Sequence, residues 1–246
     1  MIAWLGMYDM APLRAANDRY WQAIRTALGA GPETLSRDAD PWEAWQSPEL
    51  LLAQTCGMPY RTRLHGSVTL VATPDHGLPG CPPGHYNSVL VVRADAPGEA
   101  PEAFAGGTLA YNEALSQSGW AAPSAYFAQR GIRFSTLLQT GAHAASARAV
   151  AEGRAEIAGI DALTWALLNE HDPVTEGLRV IGATAPTPAL PYITAASRDP
   201  EPLRAALREA VAALSPTDRA ALRLGGIETL PASAYLAVPT PPPPAA

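Results

Sequence analysis

The spacing of apolar and polar positions predicts a chain of short buried strands alternating with helices. From Leu13 to Leu28 the apolar residues fall at 13, 16, 20, 21, 24, 27 and 28, which lines one face of a helix, and Gly29 and Gly31 stop it. IAWLGMY predicts a first strand that ends at Tyr8. LLLAQT, SVTLVAT, SVLVVRA, GTLAYN and EIAGI are apolar runs bounded by Gly, Pro or polar turns, as expected of strands buried in an α/β sheet. Helical patterns fall between them, in PSAYFAQR, AASARAVAEG and ALTWALLNE, and end in the pair PLRAALREAVAAL and PTDRAALRL. The fold class predicted is α/β, with no internal repeat.

Two segments read as bridges between lobes. PGHYNSVLVVRA opens a middle block, and APTPALPYITAAS closes it. The expected division is residues 1–85 with 192–235 as one lobe and 93–185 as the other, with hinge crossovers at 86–92 and 186–191. VPTPPPPAA makes 236–246 a proline-rich tail, expected to be extended, flexible and without a site.

Composition narrows the function. The 246 residues carry a net charge of −6 with no basic run, so no nucleic-acid partner is expected. No stretch approaches the length of an apolar membrane span. MIAWLGMYDM lacks the features of a signal peptide, so the chain as written reads as cytoplasmic. Cys56 and Cys81 form no CxxC pair and make no metal site; they are two thiols or one disulfide. No G-x-S-x-G elbow, P-loop, HExxH or G-x-G-x-x-G is present, so no metal, cofactor or catalytic residue is expected.

One stretch does carry candidate chemistry. YNEALSQSGW places Ser116, Ser118 and Gly119 directly before a helical run. Hydroxyls beside the unpaired N–H groups of a helix start can cradle a small anion; the plainer reading is a capping serine.

QTCGMPY, GHYNSVLVV, AYN followed by SQSG, TGAHAASARAVAEGRAEIAGIDALTW and the late helical pair resemble the phosphate/phosphite/phosphonate-binding proteins of ABC transporters. The resemblance implies a two-lobed type II periplasmic binding protein fold, with two crossover strands and a cleft that clamps a small anionic ligand. It also implies a monomer, a permease partner and a periplasmic location. Ser116, Ser118 and Gly119 match the loop that meets phosphoryl oxygens, and His143 matches a histidine that points into the cleft; read alone, His143 is a surface or capping residue. Asp161 ends the run EIAGI, where it can cap the next helix, meet a protonated or cationic part of the ligand, or both. Tyr8 and Tyr86 offer aromatic walls with an OH donor, or pack on the core. Trp42, Trp120, Gln54 and Thr55 are weaker candidates. In the implied fold the loops of Cys56 and Cys81 emerge near one another, so a bridge is expected under oxidising conditions, with two reduced thiols as the alternative. The other functional class is a cytoplasmic enzyme of the same fold acting on a small metabolite.

Overall fold

The computed structural model describes residues 1–244. The chain begins with β1 (Ile2–Trp4), α1 (Arg14–Leu28), α2 (Pro41–Gln46), β2 (Leu50–Gln54), α3 (Gly57–Pro59), β3 (Val68–Asp75), β4 (His85–Tyr86) and β5 (Ser88–Arg93). It continues through β6 (Thr108–Tyr111), α4 (Ala122–Gln129), β7 (Thr136–Gln139), α5 (His143–Ala151), β8 (Ile157–Asp161) and α6 (Ala162–His171). The remainder is β9 (Leu178–Ala183), β10 (Thr187–Pro188), β11 (Tyr192–Ala195), α7 (Glu201–Ala213), α8 (Pro216–Ala221), β12 (Gly226–Glu228) and α9 (Ala232–Leu236). These form two compact units: Met1–His85 with Pro188–Ala237, and Tyr86–Thr187 with the chain from Val238 onward.

In the first unit the sheet runs β1-β2-β11-β3-β12. β1 and β2 are parallel, whereas β11 lies antiparallel to both β2 and β3. All five residues of β2 are buried, which is why LLLAQ carries no polar alternation until its last position. α1 buries Ala16, Asn17, Tyr20, Trp21 and Ile24 and ends at Gly29, whose φ of 71° is open to glycine at little cost. Arg19 reaches from α1 to α8 and grips Asp218 with two hydrogen bonds, at 2.9 and 2.6 Å.

The first strand is shorter than the run IAWLGMY predicts. It ends at Trp4, and Gly6–Tyr8 form a 3-10 turn, so Tyr8 is not a strand-end residue. The Trp4 indole packs edge-on against Trp45 at 5.7 Å and also covers the Gly6 backbone, where any Cβ would overlap the ring. The chain therefore turns beneath the indole instead of continuing straight.

The sheet of the second unit runs β7-β6-β8-β5-β9. β6 is parallel to β7 and β8, and β5 is antiparallel to β8 and β9. Its core gathers Leu90, Val92, Phe104, Leu109, Trp120, Phe127 and Ile157. β4 and β10 pair as a separate two-stranded ribbon where the units meet in sequence. Cys56 and Cys81 are both free thiols, the first buried and the second half-buried. Among the described residues no helix is long and apolar enough to cross a membrane.

Candidate functional site

Because β7, β6 and β8 are parallel neighbours, their carboxyl ends fall on one edge of the second unit's sheet. The segment after β6 carries Ser116, Ser118 and Gly119, the segment after β7 carries His143, and β8 ends in Asp161. Ligands of open α/β sheets bind outside this edge.

The S-x-S-G stretch is a single π-helical turn, Gln117–Ala121, that runs into α4. Ser116 caps it, its Oγ accepting from Gly119 N at 2.9 Å, while its carbonyl accepts from Trp120 N at 3.3 Å and Ala121 N at 3.0 Å. Gly119 has no room for a side chain, because a Cβ would overlap Asn112 Oδ1. The Ser118 carbonyl accepts from the buried Ser88 hydroxyl at 2.8 Å, and the Ser118 Oγ lies 2.9 Å from His143 Nε2. Gly159 of β8 serves the same packing, since a Cβ there would overlap Pro123 at the start of α4.

His143 is the first residue of α5. As a residue it keeps partial exposure, but its ring is enclosed, and burial lowers it from 6.5 to about 4 despite the opposing pull of the Gly159 backbone. The imidazole is therefore neutral at pH 7 and acts as a polar group without charge. Asp161 is 2% exposed and caps α6, its Oδ1 accepting from Thr164 N at 2.8 Å. In the ladder it stands opposite Ser88, which ties the end of β8 to the strand that anchors Ser118. Tyr86, in β4, is 1% exposed.

Tyr8 belongs to the first unit, where it meets His76 edge-on at 5.7 Å. The two border a cavity of about 30 Å³, room for one water, also lined by Tyr20, Gln54 and Tyr192. The Tyr20 and Tyr192 hydroxyls are 3.3 Å apart. His76 Nδ1 lies 2.9 Å from the Arg223 carbonyl, which can only accept, so the proton sits on Nδ1 and Nε2 presents a lone pair. Burial lowers His76 to about 4 as well. Gln54 donates to Leu190 O at 3.3 Å, and Thr55 is fully buried. Trp42 packs on Trp45 at 5.0 Å under Arg63, and Trp120 packs on Tyr111 at 5.2 Å. Among the described residues no group of His, Cys, Asp and Glu is arranged to hold a metal.

Ser88, Asn112 and Gly159 escaped the sequence reading, although they hold the turn in place. Ser88 sits inside the apolar run SVLVVR, where a lone hydroxyl with a buried partner gives no pattern; a glycine inside a strand run, as in EIAGI, is the signal that could have found Gly159.

A search of the curated proteins found no relative of the chain. Among solved structures, PhnD1 of Prochlorococcus marinus in complex with methylphosphonate matches with a TM-score of 0.72 at 14% identity, over 95% of this chain and 94% of that one. The binding protein component of an ABC phosphonate transporter from Pseudomonas aeruginosa matches with a TM-score of 0.68 at 18% identity, covering 92% and 80% of the two chains. XAC2383 of Xanthomonas citri bound to ATP matches with a TM-score of 0.68 at 18% identity, covering 95% and 92%. At these identities the likeness is one of fold, that of two-lobed periplasmic binding proteins. The family model described as the ABC transporter, phosphonate, periplasmic substrate-binding protein matches residues 47–233. The chain thus belongs to the phosphonate periplasmic substrate-binding protein family of ABC transporters.

Proposed function

We propose that the chain binds a small oxyanion, phosphonate-like or phosphate-like, as the solute-binding component of an ABC uptake system, and hands it unchanged to a permease from the periplasmic side. The observation that carries the anion reading is the Ser118–His143 pair, 2.9 Å apart at the start of a helical run and on the carboxyl edge of parallel strands. In the tautomer with the proton on Nε2, the imidazole donates to the Ser118 oxygen and the serine proton is left for a ligand. Backbone N–H groups at the start of the turn add donors and the positive end of the helix dipole, so an anion can be held without a buried cation. In this reading Ser116 and Gly119 shape the turn, Ser118 donates, His143 orients Ser118, and Asp161 meets a protonated or cationic part of the ligand. Membership of the family and the methylphosphonate-bound fold neighbour favour a phosphonate as the ligand class.

The test is calorimetry with methylphosphonate, phosphate and phosphite, repeated on Ser118→Ala. We expect one-to-one binding of at least one of them, recovery of the ligand chemically unchanged, and a loss of about 1–3 kcal/mol in the variant because part of the anion is left unpaired. No binding by the folded protein to any of the three, or equal affinity in the folded variant, overturns the reading.

A further inference from the structure

The chain leaves α9 in the first unit and from Val238 onward belongs to the second. Along it burial repeats every three residues: Val238, Pro241 and Pro244 are half-buried, whereas Pro239, Thr240, Pro242 and Pro243 are exposed. Three residues per turn is the repeat of the polyproline II helix, the conformation that consecutive prolines adopt without backbone hydrogen bonds of their own. Pro241, Pro242 and Pro243 border a groove of about 480 Å³ whose walls include Trp120, Phe127, Ile132, Phe134 and Leu137. Phe127 and Phe134 meet edge-on at 4.8 Å in its floor. Beside them the Trp120 indole N–H, which can only donate, reaches the Pro242 carbonyl at 3.0 Å. A groove of aromatic rings, a ligand with a three-residue repeat and an indole donor aimed at a proline carbonyl are the parts of polyproline recognition.

We propose that this groove is a polyproline-binding surface and that its resident occupant is the chain's own segment 238–244, seated as a polyproline II strap. The preformed helix loses little conformational entropy on seating, and the tether supplies it at high effective concentration, so a small contact area suffices. Trp120 follows Gly119 in the turn Gln117–Ala121, so the strap also fixes the far end of that turn. The docking stands independently of the anion reading, and its test uses no anion.

The readout is solvent exchange of the Trp120 indole N–H by NMR, its signal identified with Trp120→Phe. We expect exchange to be at least about tenfold slower in the full chain than in a chain ended at Val238, with the peptide VPTPPPPAA added in trans restoring the signal position. A full-length variant carrying Pro241→Ser, Pro242→Ser and Pro243→Ser is expected to exchange as fast as the shortened chain, and it decides the matter if the shortened chain fails to fold. Equal exchange and an unmoved signal in either altered chain overturn the proposal.

Discussion

Gly119 shows how much of the candidate site depends on the absence of a single side chain. Its backbone requires no unusual dihedral; what excludes a Cβ is the Asn112 amide packed against it. Gly119→Ala should therefore cost about 1–3 kcal/mol of overpacking, read from the urea midpoint, because Asn112 has to swing away. Gly119→Ala combined with Asn112→Ala should recover most of that loss; no recovery would place the constraint elsewhere. Asp161 allows a cleaner separation of roles, since Asn caps a helix as well as Asp does. Asp161→Asn should leave the melting temperature unchanged while flattening the pH dependence of methylphosphonate binding, because the carboxylate disfavours the fully deprotonated anion. An unaltered pH profile would overturn the role of Asp161 at the ligand and leave it as the cap of α6.

Between elements, the same logic acts through caps and ion pairs. Ser215 caps α8 and Asp218 lies three residues on, its backbone N–H donating to Ser215 Oγ at 3.0 Å while Ser215 Oγ–H returns a bond to Asp218 Oδ2 at 2.9 Å. The hydrogen bonds from Arg19 hold the Asp218 carboxyl below the usual carboxylate range. Arg19 itself is more than half exposed, so solvent discounts the pair, whereas Ser215→Ala removes the cap and should cost about 1–2 kcal/mol. Denaturant titration of the wild type and the variant reads the difference directly. These contacts also mark where sequence reading succeeds. LLLAQ and the IAGI of EIAGI were legible as strands because continuous burial leaves continuous apolar runs, and SVLVVR because four of its six residues are buried. β7 is half exposed and only four residues long, and α2 spans six residues rich in tryptophan, so neither gives a period to detect. The S-x-S-G turn was legible from its residue types at a helix start, whereas His143, which alone reads as a surface or capping residue, was singled out only by the family resemblance. The cavity formed by Tyr8, Tyr20, His76 and Tyr192 was not, because its walls come from segments far apart in the chain and each residue alone resembles core.

For the molecule as a whole, acid should be the most revealing stress. Each unit encloses one histidine whose ring is kept neutral by burial, His76 in the first and His143 in the second, both lowered from 6.5 to about 4. The folded state thus binds fewer protons than the unfolded chain between those values. The sign follows: the stability attached to these neutral rings is fully present above about pH 6.5 and is lost as the pH falls toward 4. Each ring represents about 3 kcal/mol over that window, a large share of the stability of a unit this size. Calorimetric melting at pH 7, 5.5 and 4.5 should show a steep fall, steeper than surface carboxylates alone would give, since most of those still carry charge at pH 5.5. His76→Gln removes a titrating group from the first unit only, and His143→Gln from the second only, so each should flatten the acid response of its own unit while costing some stability at pH 7. If both variants melt with the same pH slope as the wild type, the acid response originates elsewhere, and the rings gain protons in the folded state without penalty.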